Sequence, residues 1–235
     1  MKVIKDISFA EIPGDNKSAV LEIQPNVFSD SRGFFCEVLK QQDCPDSNIP
    51  VWLTDLIWIK QINRSVSKAG TVRGCHAQKG KFFQAKLVQA LTTRIYDIIT
   101  DARPDSETFG VSNVYLLDPE KQNQLFIPKG FLHAFVVDTD VTKPAVFEYF
   151  CDEVYDKASE TGVNPISILP KISEQLKTLH KDNMKELEKY FQFFKTMSVI
   201  DSLELSPKDI SAQDYEVFMQ NIKDEYARIG KVWYR

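Results

Sequence analysis

The chain holds 235 residues, 43% of them hydrophobic and 26% charged, with a formal net charge of −4. That length and balance suit one large domain, or a domain with an appendage, and can bury a real core. The small negative charge argues against nucleic acid or an anionic membrane as a partner, and apolar runs such as "VWLTDLIWI" fall far short of the roughly 20 residues that cross a bilayer.

The N-terminal stretch "MKVIKDISFAEIPGD" has no uninterrupted apolar region, so a cytoplasmic location is expected. Residues 1–170 read as strands. In chain order, "LVQALTTRIYDIITDAR", "SNVYLLDP", "QNQLFIPKGFLHAFVV" and "AVFEYFCDEVY" are short, rich in β-branched and aromatic residues, and punctuated by Pro, Gly, Asp or Asn. No helical period separates them, which excludes parallel βαβ winding and predicts an antiparallel sandwich or barrel. From Pro170 the pattern changes, and residues 171–235 are expected to form a helical extension. "SEQLKTLHKDNMKELEKYFQFFKTM" and "SAQDYEVFMQNIKDEYARIG" space apolar residues by three and four. "SPKD" reads as a helix start, with Ser206 as cap and Pro207 in the first turn, and Gly230 as the final stop. The stripe Tyr190, Phe191, Phe193 and Phe194 is expected in a core or a subunit contact.

The chemistry concentrates in "RGCHAQKGKFFQAKLV". A turn centred near Lys81 would make His76 and Lys86 cross-strand partners in a hairpin, their Cβ atoms about 5 Å apart. An imidazole beside a fixed cation suits removal of a proton next to a carbonyl, with the ammonium stabilising the enolate oxygen. An ordinary solvent-facing hairpin fits the pair equally well. His133 shares a strand face with Phe135 and Val137, as a satisfied core residue would. Tyr149 points inward with Ala145, Phe147 and Cys151, either to pack or to donate a proton. Asp97, between Ile95 and Ile99, could orient an imidazole or be a buried structural carboxylate. Cys75 neighbours His76 but should point to the opposite face, as buried filler. Cys36, Cys44, Cys75 and Cys151 form no C-x-x-C pair, and no disulfide framework is expected.

The ordered set "FSDSRGFFCEV", "QINRSVS", "RGCHAQKGKFFQAKLV", "DIITDARPDSETFG", "QLFIPKGFLHAF" and "YFCDEVYDKASETG" resembles the dTDP-4-dehydrorhamnose 3,5-epimerase family over roughly Asp6 to Pro170. The resemblance implies a cupin-type jelly roll, a homodimer with exchanged N-terminal strands, and no metal or other cofactor. It implies inversion of carbons 3 and 5 of a nucleotide-linked 4-keto-6-deoxy sugar. His76 matches the base, Lys86 the cation that stabilises the enolate, and Tyr149 the acid on the opposite face. Gln61, Asn63, Arg73, His133 and Glu160 match substrate contacts, and Arg32 and Glu37 match residues passed to the partner's site. The family orients its base with a late aspartate, for which this chain offers no clear match: Asp182 reads as helical. Three readings stand: a 3,5-epimerase, an epimerase of one carbon or of another keto-sugar, and a non-catalytic sugar-nucleotide binder of the same fold.

Overall fold

The structure is a computed structural model that describes residues 1–13, 15, 17–39 and 58–230. Cys44 and most of "VWLTDLIWI" lie outside the described residues. The strands are β1 (Lys2–Lys5), β2 (Leu21–Gln24), β3 (Val27–Asp30), β4 (Gly33–Cys36), β5 (Gln61–Ser67), β6 (Val72–Gln78) and β7 (Lys86–Ala90). They continue with β8 (Ile95–Asp101), β9 (Ser112–Leu117), β10 (Gln124–Ile127), β11 (Phe131–Val137), β12 (Ala145–Cys151) and β13 (Glu160–Gly162). A six-stranded sheet in the order β1-β2-β10-β7-β12-β5 faces a five-stranded sheet in the order β13-β6-β11-β8-β9. The ladders between these strands are antiparallel, as the alternation in the sequence predicts. This is the expected antiparallel jelly roll.

Between the sheets lies one core, with Val88, Leu125 and Phe147 from the larger sheet against Ile95, Ile99 and Phe135 from the smaller. A second core covers the outer face of the five-stranded sheet, where Tyr96, Ile98, Leu132 and Val136 meet Ile168, Leu169, Phe193 and Phe218 of the helical segment. Strands β8 and β11 are therefore buried on both faces, and they read as continuous apolar runs for that reason.

The helical segment begins earlier than Pro170. Helix α1 spans Pro165–Leu179; the Asn164 side chain accepts from the Ile166 N–H, Pro165 opens the first turn, and Pro170 lies inside. An Asn-Pro cap starts the helix, and the proline read as a boundary falls in its second turn, where packing against the sheet outweighs the lost hydrogen bond. Next come α2 (Met184–Lys189), α3 (Phe191–Met197), α4 (Pro207–Ile210) and α5 (Tyr215–Ile229). The Ser206 side chain accepts from the Asp209 N–H, and Gly230 ends α5 in a left-handed conformation at φ 62°, both as predicted. In the aromatic stripe Phe193 is wholly buried, with Tyr190 and Phe194 packed against the same core, whereas Phe191 is 65% exposed.

The expected hairpin between His76 and Lys86 does not form. After Gln78 the chain makes a short 3-10 turn at Gly80–Phe82 and crosses to the other sheet, so β7 pairs with β10 and β12. Strand-like flanks around a glycine fit a sheet-to-sheet corner as well as a hairpin. The strands opposite His76 are β11, at His133, and β13, at Gly162.

Candidate active site

β6 carries an irregularity that shapes the site. His133 opposes His76 while Phe135 opposes Arg73, so three steps on β6 match two on β11, as in a bulge. The bulge puts Arg73 and His76, three residues apart, on one cavity, which simple alternation does not allow. Gly74 makes it possible, with φ 107°, and a Cβ there would lie 2.4 Å from the His133 carbonyl oxygen. Cys75 faces the outer core at 2% exposure. Burial, then the nearby Asp209 charge, pushes its thiol up to about 12, so it stays protonated and inert.

Two carboxylates flank His76. Asp209 Oδ1 lies 2.6 Å from Nε2, and Glu160 Oε1 lies 3.3 Å from Nδ1. Burial alone would raise the Asp209 carboxyl, but His76, Ser206 and Lys208 together hold it below its ordinary value. Glu160 likewise sits below its ordinary value: burial opposes this, while Lys208, Tyr155 and His76 stabilise the anion. Tyr155 Oη donates to Glu160 at 2.7 Å, and Lys208 pairs with the same carboxylate. Gly162 opposes His76 in register, and a Cβ there would come within 2.6 Å of the imidazole. β13 thus packs flush against the imidazole.

Asp209 comes from α4, which the helical segment carries to the pocket. Val72 N–H donates to the Glu204 carbonyl at 2.9 Å, and Glu204 N–H to the Gly70 carbonyl at 3.0 Å. This strand-like contact docks the segment on the start of β6, three residues before α4. "SPKD" reads as a helix start in the sequence, but nothing there marks its aspartate as a neighbour of His76, because the helices α1 to α3 separate it from the motifs before Pro170.

Lys86, on the facing sheet, has Nζ 3.5 Å from His133 Nδ1, and His133 Nε2 lies 2.7 Å from Asp97 Oδ1. Asp97 therefore meets an imidazole, but that of His133 and not His76. Burial lowers the Lys86 ammonium, opposed by Cys151, Asp97 and Glu160. Burial also lowers His133, opposed by Asp97 and reinforced by Lys86. Tyr149 lies on β12, and burial, then Cys151, raises its phenol above the ordinary value, so it keeps its proton at neutral pH.

His76, Arg73 and His133 from one sheet and Lys86 and Tyr149 from the other line a single cavity of about 580 Å³. Lys208 and Asp209 close it from the helical side. Gln61 and Asn63, on β5 with Asn63 opposite Tyr149, and Glu160, beside His76, are not among the residues that line it; Gln61 Nε2 donates to Asn63 Oδ1 at 2.7 Å. Ser65, unremarked in the sequence, also lines the cavity, and its buried hydroxyl has no partner among the described residues. Arg32 and Glu37 are not brought to this cavity. Arg32 sits at the tip of the β3–β4 hairpin, 88% exposed and paired with Asp30 at 2.6 Å, and Glu37 is exposed just beyond it.

An imidazole and a phenol approach one cavity from facing sheets of an antiparallel jelly roll of the cupin type, an arrangement suited to proton transfer at either face of a bound ring. The comparisons narrow this. The family model for dTDP-4-dehydrorhamnose 3,5-epimerase matches residues 16–214, a span that includes Asp209. The epimerase of that name from Escherichia coli strain K12 is 37% identical over 144 residues, covering 61% of this chain and 74% of its own. The crystal structure of the enzyme from Elizabethkingia anophelis NUHP1 superposes with a TM-score of 0.62 at 30% identity, over 89% of this chain and 96% of that one. The Legionella pneumophila dTDP-6-deoxy-D-glucose-3,5-epimerase in complex with dTDP-4-keto-L-rhamnose gives a TM-score of 0.62 at 26% identity, over 92% of this chain and 95% of that one. The chain belongs to the dTDP-4-dehydrorhamnose 3,5-epimerase family and is a sugar-nucleotide epimerase.

Proposed function

We propose that the cavity binds a dTDP-linked 4-keto-6-deoxy sugar, with His76 as base, Tyr149 as acid and Lys86 as the cation at the enolate oxygen. The observation that carries this reading is the placement of His76 and Tyr149 on facing sheets around one cavity. A sugar ring lying between them presents one face to each. His76 takes the proton from a carbon beside the ketone, and the bonding pair moves into the ring bond while the keto oxygen becomes an enolate. Lys86 donates to that oxygen, and the Tyr149 hydroxyl returns a proton from the other face, inverting the carbon. Carbons 3 and 5 both flank the 4-keto group, so one base and one acid serve both. The reaction moves only protons, which is why it requires no cofactor.

Arg73, braced by Ser67 Oγ at 2.9 Å, suits the diphosphate because its planar fork makes two hydrogen bonds at once. Gln61, Asn63, His133 and Glu160 complete the substrate contacts. The working unit in this reading is a cytoplasmic homodimer in which Arg32 and Glu37 serve the partner's cavity. Two features support that exchange. The β3–β4 hairpin pairs with no other strand among the described residues. It also exposes Phe28, Phe34 and Phe35 at 55%, 56% and 65%. The free thiols of Cys36, Cys75 and Cys151 fit a reducing compartment.

The test is incubation in heavy water with several nucleotide-linked 4-keto sugars, following deuterium entry at carbons 3 and 5. Entry at both with the dTDP-linked sugar is expected. Entry at one carbon would restrict the activity to a single centre, and none with any sugar would overturn the enzymatic reading.

A further inference from the structure

Asp97 is an expensive residue to bury. Its side chain is fully enclosed, one oxygen meets His133, and the other, Oδ2, has no partner among the described residues. A carboxylate kept in that state for packing alone would be better replaced by an apolar residue. What the position does provide is direction. His133 stands in line between Asp97 Oδ1, 2.7 Å from Nε2, and Lys86 Nζ, 3.5 Å from Nδ1. With the imidazole neutral, a proton on Nε2 satisfies both contacts. A proton on Nδ1 would set a carboxylate against a lone pair and two donors against each other.

We propose that Asp97 is a positioning residue that acts on Lys86 through His133. By accepting the Nε2 proton it keeps Nδ1 an acceptor, which engages one Lys86 N–H and aims the rest of the ammonium into the cavity. The inference rests on the reading of Lys86 as the group that meets the enolate oxygen. The titratable groups facing this chain are His76 on β6, Glu160 on β13, Cys151 on β12 and, across the same cavity, Tyr149. Asp97 and Glu160 are the carboxylates whose charge favours the Lys86 proton.

Nitrogen-15 NMR of the full chain without substrate reads the tautomer directly. The sequence has three histidines, so His76→Asn and His180→Gln assign the spectrum. Nε2-protonated His133 is expected, with the two forms mixed in Asp97→Asn; a His133 protonated on Nδ1 in the parent overturns the proposal. With substrate, Asp97→Asn should lower kcat about tenfold or more with KM little changed. The basic limb of the pH profile should move to lower pH, since a charge that helps Lys86 hold its proton is gone. In a Lys86→Met background the same change should add little further loss. Equal losses in both backgrounds would mean a structural role and sink the idea. If Asp97→Asn does not fold, the cycle is run with His133→Gln, where additivity again overturns it. A parent that turns over no 4-keto sugar would refute the substrate reading, while the tautomer measurement would still decide this one.

Discussion

Two imidazole–carboxylate pairs stand side by side on adjacent strands, and they are built in opposite ways. His76 opposes His133 in the ladder, so the rings are neighbours. The His76 side chain keeps 27% of its surface exposed, and its carboxylate, Asp209, arrives from a helix more than a hundred residues later. His133 keeps 8%, and its carboxylate, Asp97, sits fully buried on the next strand of the same sheet. An imidazole open to the cavity can take a proton from a ligand and return it to water. One held between a carboxylate and an ammonium has both ring nitrogens engaged and is placed to hold a direction. In the proposed mechanism the same chemical pair is divided between transferring a proton and orienting a neighbour by solvent access and by which element supplies the acid.

The largest break in this comparison should come from His76→Asn. Deuterium exchange should fall at every carbon by the 10²–10⁴-fold range of a lost general base, while calorimetry still detects nucleotide binding. Exchange near the parent rate would give the transfer role to another group. Tyr149→Phe comes next, since it removes the acid on the opposite sheet and keeps the ring's volume. Epimerised product should fall by about 10²-fold or more, while exchange with retention of configuration survives if His76 returns the deuteron itself. Unchanged epimerisation would leave Tyr149 as a packing residue beside Phe147, whose ring centroid is 5.6 Å away.

Asp209→Asn should be milder and should separate the pairs. Losing the carboxylate leaves His76 in place but unoriented, a displacement worth up to about 10²-fold in rate. The His133 signals in a nitrogen-15 spectrum should not move. A shift of His133 as large as that of His76 would show that the pairs are one coupled unit.

Much of this architecture is legible in the chain itself. Alternation along β11 and β12 puts His133 and Tyr149 on the inner face, and alternation around Asp97 puts it on a packed face, with either an imidazole to orient or a structural place; the imidazole it meets is that of His133, not His76. Three things were not legible. The corner at Gly80–Phe82 has hairpin-like flanks, so the residue type at the turn does not reveal that Lys86 joins the other sheet. The bulge at Gly74 breaks the two-residue period, which hides that Arg73 and His76 share a cavity. Asp209 is separated from the earlier motifs by helices whose apolar spacing describes only how they cover the sheet; a docking contact as short as that of Glu204 leaves no periodicity to read.

The smallest effect sharpens the comparison through stability, because the two carboxyls are shifted in opposite directions. Asp209 is held below its ordinary value: burial raises it, but His76, Ser206 and Lys208 outweigh burial. Between that lowered value and the unfolded one near about 3.9, the unfolded chain binds more protons, so this group's stabilisation is present above the window and lost as pH falls through it. Asp97 is raised by burial, against the pull of His133 and Lys86. Between about 3.9 and that raised value the folded chain binds more protons, so the burden of its charge lies above the window and is relieved as pH falls. Urea midpoints measured from neutral pH downward should therefore diverge. Asp209→Asn should flatten the acid-side loss of stability, and Asp97→Asn should steepen it by removing the relief. Slopes that change in the same direction in both variants would contradict the opposed environments assigned to the two carboxyls.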